Sequence, residues 1–383
     1  MYWQKKILSI LTITFILLIS NVIVVFAGGF DNANDPEKMA LAGKFSNSPL
    51  QLVYKLDSLP KSSSLSKDNM PWSENYWPTV EGGLRYRFQT AKTPTRFDLY
   101  FQGKKKVKRM KEEDIAKLSP TEKIDIYLGD YDYTFTKEEI DRTKDACKHP
   151  TDKGWWGLCH GWASESLNRP EPKCVTVTNA DGIKIKFGSS DLKGLALYFA
   201  GQIAQSDECF AGRRCNIDKK NLPQAPASEI MAYEDVNAGT FFLALTNLIP
   251  NQQGFVMDRT TDGPVWNQPI FGYNYEIVKE SNSASTGSAT GTAREVEIKL
   301  EVNWLQELKS SMEPHNNSAT AHKNSSYSAI LELDSAGNII GGRWIGKSVD
   351  DHPDFIWMKA KAKMSDYGKR WEAVDKIYQE ATK

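Results

Sequence analysis

The alternation of apolar and polar residues predicts an α+β fold with a largely antiparallel sheet. Residues 295–304, EVEIKLEVNW, alternate strictly, which is typical of a strand with one buried and one wet face. Residues 174–187 and 327–346 each hold two alternating runs around a turn, so both are predicted to be hairpins. We interpret two apolar runs, 241–249 (FFLALTNLI) and 254–258 (GFVMD), as paired and mostly buried strands.

Three further segments carry helix signals. Residues 119–130 open with Ser119 and have Glu122 three positions later, the pattern of a capping box. Residues 189–205 place apolar side chains at helical spacing, with Ser190 as the expected cap. The C-terminal end, which carries Trp371, Val374, Ile377 and Tyr378, is also predicted to be helical.

The N-terminus has the pattern of an export signal. Lys5 and Lys6 precede an apolar stretch over residues 7–26, and Val25-Phe26-Ala27 matches the small-residue rule for signal-peptidase cleavage. Residues 1–27 are therefore predicted to be a signal peptide. A stretch of about twenty residues is also long enough to span a bilayer, so an uncleaved anchor is the alternative. Either reading places the rest of the chain outside the cytoplasm, secreted or periplasmic.

Composition divides the remaining chain into two parts. Residues 28–70 are rich in Asn, Ser, Asp and Lys and are predicted to be a flexible lead-in. Residues 71–383 begin with an aromatic cluster and form the predicted catalytic domain. The formal net charge of the chain is zero at pH 7, so nothing attracts nucleic acid. We expect no membrane contact from the mature chain unless the N-terminal anchor is retained.

The five cysteines suggest two disulfides and one separate thiol. Exported proteins keep disulfides. Cys209 and Cys215 flank a short loop, and Cys147 and Cys174 flank the central motif, so these are the predicted pairs. This pairing is one of the three that four cysteines allow. It leaves Cys159 without a partner.

Cys159 lies in the most unusual segment of the chain, WWGLCHGWA, at residues 155–163. A glycine on either side permits a close approach of the backbone, and the residues that follow have a helical pattern. A cysteine at a helix N-terminus gains stabilisation of its thiolate, and its N–H can face an oxyanion. Trp156 and Trp162 are expected to contact substrate and exclude water. The alternative is an inert cysteine buried between tryptophans. The reactive layout is that of papain-like and transglutaminase-like enzymes, in which the nucleophile opens a helix and its base lies on a later strand.

A metal site is the competing interpretation of this region. Cys147, His149, Cys159 and His160 offer thiolate and imidazole ligands. Their intervals lack the short paired spacing of zinc sites, and adjacent residues would point apart. We therefore predict neither a metal nor any other cofactor.

Five motifs in sequence order resemble the elicitor-type transglutaminases of oomycete plant pathogens and their exported bacterial relatives. The resemblance runs over residues 71–358. Each motif is weak by itself, but five in the same order are fairly specific. They are PWSENYWP, SPTEKIDIYLGD, WWGLCHGWA, VWNQP, and IGGRWIG followed by DHPDFIW.

The resemblance implies a papain-like core and a thioester mechanism. Cys159 matches the nucleophile, which takes the acyl group from a glutamine carboxamide, releases ammonia and passes the acyl group to a lysine amine or to water. The implied partners are proteins with accessible glutamine and lysine side chains. Asp258 matches the carboxylate that orients the base, and Trp266 in VWNQP is expected to contact substrate.

The base is the open question, because a Cys-His-Asp order would place a histidine on the strand before Asp258. Residues 241–249, where we expect that strand, contain no histidine. Of the five histidines, His352 follows a predicted strand and is the remaining candidate, with a purely structural role as the alternative.

Three functions therefore remain at the level of sequence. The first is a protein-glutamine acyltransferase. The second is a catalytically impaired relative that acts as a binding or recognised surface protein, and the third is a papain-like cysteine peptidase or amidase.

Overall fold

The computed structural model describes residues 28–40, 50–90, 101–151, 153–214, 235–261, 264–316 and 319–383. No helix in these ranges is long and apolar enough to cross a membrane. The signal peptide or anchor predicted for residues 1–27 lies outside them. The helices of the described ranges are α1 (Glu37–Ala40), α2 (Lys104–Val107), α3 (Glu112–Ala116), α4 (Pro120–Tyr127), α5 (Thr134–Lys148), α6 (Cys159–Asn168), α7 (Ser189–Tyr198), α8 (Ala238–Leu248) and α9 (Lys369–Ala381).

Most strands join in one antiparallel sheet. Its order is β4-β10-β5-β6-β7-β8-β9, with β1 paired to β6, whereas β2 and β3 form a separate hairpin. This architecture confirms the predicted α+β class. The strands are β1 (Ser62–Ser64), β2 (Val175–Thr178), β3 (Lys184–Phe187), β4 (Glu208–Gly212), β5 (Phe255–Asp258), β6 (Asn267–Ser281), β7 (Arg294–Leu305), β8 (His322–Leu333), β9 (Ile339–Trp344) and β10 (Phe355–Lys359).

Several predicted elements are confirmed. The β2–β3 and β8–β9 hairpins form, as do strands β5 and β7 and the C-terminal helix α9. Ser119 caps α4 through the predicted capping box with Glu122. Helix α7 begins two residues earlier than the expected cap implies, because Gly188 is the cap, with its N–H donating to the Asp191 carboxylate at 2.7 Å, and Ser190 lies inside the helix.

Helix α6 is the element that positions Cys159. It packs against α7 on one side and against β5 and β6 on the other. A Cβ on Gly161 would lie 2.1 Å from the Leu197 carbonyl oxygen of α7, so only glycine allows this approach. The predicted helix after Cys159 and the close approach at this glycine are both confirmed.

The strand predicted for residues 241–249 is wrong. These residues lie in and directly after α8, which begins after Asn237, whose side chain accepts a hydrogen bond from Gly239 N–H at 2.8 Å. All the residues of α8 are buried, so the apolar run has no wet face. A uniformly apolar run does not distinguish a buried strand from a buried helix.

The lead-in predicted to be flexible is folded where the structure describes it. Strand β1 pairs with β6, and Lys55 bridges to Asn338. Between 50 and 70 the leucines face the core and anchor this segment to the sheet, so the domain begins before residue 71. The buried leucines are Leu52, Leu56, Leu59 and Leu65.

The predicted disulfide between Cys147 and Cys174 does not form. Both are free cysteines. Cys147 lies near the end of α5, where its sulfur is 3.4 Å from Arg85 Nη2 and 3.4 Å from the Thr79 carbonyl oxygen. Cys174 precedes β2 in a different part of the fold, near Lys186. The pair predicted for Cys209 and Cys215 includes a residue outside the described ranges.

Candidate active site

Cys159 is the first residue of α6 and lines a cavity of about 650 Å³. Its side chain is buried, with 6% exposed. The backbone N–H groups of the first turn of a helix lack intrahelical acceptors, so they face whatever occupies the space beside the thiol. The structure thus places Cys159 where the sequence predicts a nucleophile.

The loop before Cys159 is held by the PWSENYWP segment. Leu158 N–H donates to the Tyr76 carbonyl oxygen at 2.7 Å, and Thr79 N–H donates to the Trp156 carbonyl oxygen at 2.8 Å. A Cβ on Gly157 would lie 2.4 Å from the Tyr76 ring, so glycine is required here as well. Two motifs that are far apart in sequence therefore meet at the start of α6.

The side chain of Asn267 lies beside the sulfur of Cys159. Its amide nitrogen Nδ2 lies 3.7 Å from Cys159 Sγ, and its oxygen Oδ1 accepts a 2.8 Å hydrogen bond from Trp357 Nε1. The thiol itself points towards the Val265 carbonyl oxygen at 3.8 Å. The Trp357 indole fixes the amide so that its N–H groups face the sulfur.

Sequence reasoning missed both Asn267 and Trp357. Each lies inside one of the five motifs, Asn267 in VWNQP and Trp357 in DHPDFIW, but no local feature marks it as a neighbour of Cys159. The two residues are 90 positions apart, and nothing local indicates that they pair.

Asp258 ends β5, directly opposite Asn267 of β6 in the sheet register. Its carboxylate is fully buried, and Oδ1 accepts the Trp266 backbone N–H at 2.8 Å. The negative charge of Asp258 is one cause that raises the pKa of Cys159. The predicted carboxylate is therefore near enough to the thiol to act on it electrostatically.

The electrostatic balance at the thiol favours its neutral form. Burial raises the pKa of Cys159, hydrogen bonds from Asn267 oppose this, and the charges of Glu307 and Asp258 add to the rise. The outcome is a pKa above the usual value of a cysteine. A group that removes the proton is therefore needed when the thiol reacts.

His352 lies in a different cluster. Its Nδ1 is 2.7 Å from the Ser348 carbonyl oxygen, its Nε2 is 3.2 Å from Asp235 Oδ2, and its ring stacks on Trp344. It is not among the described residues that line the Cys159 cavity. The structure does not bring His352 to the thiol, so its predicted role as base lacks geometric support.

Burial also decides the protonation of His352. Burial is the largest influence and lowers the pKa of His352 to about 4, although the hydrogen bond with the Ser348 carbonyl oxygen and the charge of Asp350 oppose it. A buried and stacked imidazole that stays neutral fits the structural alternative for His352.

His160 is the histidine that lines the cavity. Its Nε2 lies 3.2 Å from the Gly201 carbonyl oxygen in the turn after α7, and burial lowers its pKa. The ring is thus directed at the α7 side of the cavity. The described contacts of the Cys159 thiol include no imidazole.

The three tryptophans proposed as substrate contacts have different environments. Trp156 lines the cavity and is 42% exposed, and its contact with substrate stays a prediction. Trp162 is fully buried and its indole N–H donates to the Trp72 carbonyl oxygen, so the substrate role predicted for it is wrong. Trp266 is half-buried and packs edge-on against Tyr76 at 5.8 Å, outside the described cavity lining.

The cavity combines an aromatic wall with charged groups at its rim. Lys153 lies close to this rim: its ammonium forms an ion pair with Asp145 and is 4.6 Å from the centre of the Trp156 ring. The aromatic residues of the wall are Trp155, Trp156, Phe210, Phe355 and Trp357, and the charged residues are Arg142, Asp145, Glu208 and Arg214.

The two cysteines of the zinc alternative face different partners. In the described ranges, no group of three or more His, Cys, Asp or Glu side chains is arranged to hold a metal ion. Cys147 faces Arg85 and Thr79, whereas Cys159 faces Asn267.

A cysteine at the start of a helix, packed across antiparallel strands that carry an amide and a carboxylate, defines the transglutaminase-like class of α+β folds. The sequence model of the transglutaminase elicitor family matches residues 41–382, and the chain belongs to this family. The fold is also similar to the crystal structure of the GP42 transglutaminase from Phytophthora sojae. The TM-score is 0.65 at 21% identity, over 91% of this chain and 99% of that chain. A comparison with curated proteins gave no match.

Proposed function

We propose that the protein is an exported acyltransferase that forms a thioester between Cys159 and a glutamine side chain of a protein substrate. The observation that carries the proposal is the surroundings of Cys159, a buried cysteine at a helix N-terminus. The Asn267 amide contacts its sulfur, the charge of Asp258 acts on it, and the adjacent cavity is large enough for a side chain. The export pattern in residues 1–27 supports action outside the cytoplasm.

We assign the role of base to Asp258 rather than to a histidine. Neutral thiols are poor nucleophiles, and the raised pKa of Cys159 keeps the resting thiol protonated. Asp258 is buried, lies on the strand beside Asn267 and acts electrostatically on the thiol. Burial strengthens a carboxylate as a base.

The reaction then proceeds in two balanced halves. Asp258 takes the thiol proton while the sulfur attacks the glutamine carboxamide carbon. The C–N bond breaks, Asp258 returns the proton to the leaving nitrogen, and ammonia departs. A lysine amine next attacks the thioester and gives a proton to Asp258. The C–S bond breaks, and the proton returns to the sulfur of Cys159.

Asn267 and the start of α6 supply the stabilising donors. The developing oxyanion needs N–H groups already in place, and the first turn of α6 and the Asn267 amide both offer them. The hydrogen bond from Trp357 to Asn267 Oδ1 keeps the amide in one orientation. The aromatic wall keeps water out and so favours transfer to an amine over hydrolysis.

The rim of the cavity offers a place for the incoming amine. Asp145 and the face of Trp156 already hold one ammonium group, that of Lys153. A carboxylate and an indole face together are a recognised binding pair for a primary ammonium. We infer that a substrate lysine displaces Lys153 from this position before it loses its proton.

The direct test is incorporation of a fluorescent primary amine into a glutamine-rich protein. We expect the full chain to label the substrate, and Cys159→Ala to reduce labelling by at least about 1000-fold. Cys174→Ala is the matched control because it removes a half-buried cysteine outside the cavity, and it should retain activity. Equal labelling by Cys159→Ala would refute the mechanism, and cleaved substrate instead of labelled substrate would indicate a peptidase.

A second candidate is a catalytically impaired member of the family that acts by binding. The raised pKa of Cys159 and the absence of an imidazole among the described contacts of its thiol favour it. Wild-type chain that gives no labelling under any tested donor, but adheres to cell-surface material, would support this second function.

A further inference from the structure

Gly28, the residue directly after the predicted leader, is enclosed by the body of the protein. Gly28 N–H donates to the Gly287 carbonyl oxygen at 2.8 Å. Its carbonyl oxygen accepts from Gly342 N–H and from Asn237 Nδ2, each at 2.9 Å. Such complete use of backbone groups is typical of an integral part of a fold and not of a passing linker.

A buried carboxylate lies against Gly28. The position that a Cβ on Gly28 would occupy is 2.2 Å from Glu332 Oε1 and 2.3 Å from Oε2. Because Cβ and N are bonded to the same Cα, the Gly28 nitrogen lies within about 5 Å of the Glu332 carboxylate. Only glycine fits at this place.

The charges around Glu332 do not balance. Glu332 and Glu295 are both buried, at 0% and 6% exposed, and within the described ranges the cation that pairs with both is Arg343. Arg343 donates to Glu332 at 2.5 Å and to Glu295 at 3.0 Å.

The second carboxylate of the cluster is ionised. Burial raises the pKa of Glu295, but hydrogen bonds from Arg343, Ser288 and Ser285 prevail and lower it to about 2. Two buried carboxylates with one guanidinium leave one negative charge uncompensated, which is costly in a buried place.

We propose that Gly28 is the mature N-terminus and that its α-ammonium docks against Glu332, where it completes the charge balance of the cluster. The processing step is hydrolysis of the Ala27–Gly28 peptide bond by a leader-removing peptidase. Water supplies hydroxyl to the Ala27 carboxyl group and hydrogen to the Gly28 nitrogen, which takes one further proton from solvent. The small-residue pattern Val25-Phe26-Ala27 places the cleavage at this bond.

The docked segment also forms hydrogen bonds to residues that surround His352. Asn34, a few residues further along, donates to the Asp235 carbonyl oxygen and accepts from Asn237 N–H. Asp235 in turn contacts His352. Removal of the leader thus allows the first residues of the mature chain to complete the folded domain after export.

The first experiment identifies the terminus. The full chain is expressed in a host that exports it, and the intact mass of the product is measured. A mass corresponding to residues 28–383 is expected. A product that retains residues 1–27, or that begins elsewhere, would overturn the proposal.

The second experiment tests the ion pair with two purified chains, one beginning at Gly28 and one with Ala27 retained before it. The chain that begins at Gly28 should melt about 3 °C or more above the other. In the Glu332→Gln background this difference should fall to about 1 °C, because the ammonium has lost its partner. Equal melting temperatures in the parent pair, or an unchanged difference in the Glu332→Gln pair, would contradict the docking.

Chemical labelling provides a readout that needs no variant. Cyanate carbamylates free α-amines, so the Gly28 amine should react at least about tenfold more slowly in the folded chain than in the unfolded chain. Equal rates would contradict the docking. Mass, melting temperature and labelling do not depend on transglutaminase activity, so this proposal and the proposed function fail separately.

Discussion

Two buried polar clusters of this protein contain residues that the sequence suggested for catalysis, and they differ in how tightly those residues are held. Around His352, the contacts are short, at 2.7 Å and 3.2 Å, and the ring stacks on Trp344. Around Cys159, the sulfur has longer contacts of 3.7 Å and 3.8 Å beside a large cavity.

The difference supports the proposed assignment of the chemistry to the Cys159 cluster. A side chain whose polar atoms all have close partners and no adjacent space contributes to stability. A nucleophile needs space for substrate and partners that strengthen their contacts only as charge develops. Cys159 has such space in the cavity that it lines, and its sulfur has only long contacts.

Asp258→Asn gives the sharpest test of this contrast. The amide retains an oxygen for the Trp266 N–H but cannot accept the thiol proton, so amine incorporation should fall roughly 100-fold or more. The measurement is kcat for amine incorporation, with the melting temperature recorded in parallel. An unchanged kcat would remove Asp258 from the mechanism.

His352→Gln should show the opposite profile. Loss of the stacked ring and its buried hydrogen bonds should cost about 1–3 kcal/mol of unfolding free energy. The value of kcat, measured well below the melting temperature, should stay within about threefold of wild type. A loss of activity as large as that of Asp258→Asn, without loss of stability, would restore His352 as the base.

The pH dependence of the unfolding free energy gives a second test of the role of His352. The pKa of His352 falls from 6.5 to about 4 on folding, so the unfolded chain binds the proton first as the pH decreases. The stability associated with the neutral ring is present above pH 6.5 and is lost between pH 6.5 and 4, by up to about 3 kcal/mol. Chemical denaturation across this range should show a smaller loss for His352→Gln than for wild type.

The contrast also explains how much the sequence could predict. Cys159 was predictable because its signals are local: flanking glycines, tryptophans and a helical pattern directly after it. The strands with strict alternation, such as β7, were predictable for the same reason. These features require no knowledge of distant parts of the chain.

The wrong or missing predictions concern features that depend on contacts between distant parts of the chain. Residues 241–249 have no polar face because α8 is enclosed on all sides. Since this segment is a helix and not the predicted strand, the expectation that it should carry the catalytic histidine was also wrong. The polar composition of residues 50–70 concealed leucines that pack into the core. The hydrogen bond between Asn267 and Trp357 joins two strands, β6 and β10, that are not neighbours in the sheet order, and no local pattern reveals it.

The smallest expected effect concerns the rim of the cavity, where contacts are exposed and therefore weak. Asp145→Asn removes the carboxylate that holds an ammonium beside Trp156, so the KM for a primary amine should rise about 3- to 10-fold. The rate of thioester hydrolysis without amine should not change, because the glutamine side of the reaction is untouched. Asp141→Asn is the matched control, since Asp141 lies on the same helix, pairs with Lys144 and is outside the described cavity lining. If both variants shift KM equally, general surface charge attracts the amine; a shift confined to Asp145→Asn shows that the rim of the Cys159 cavity selects it.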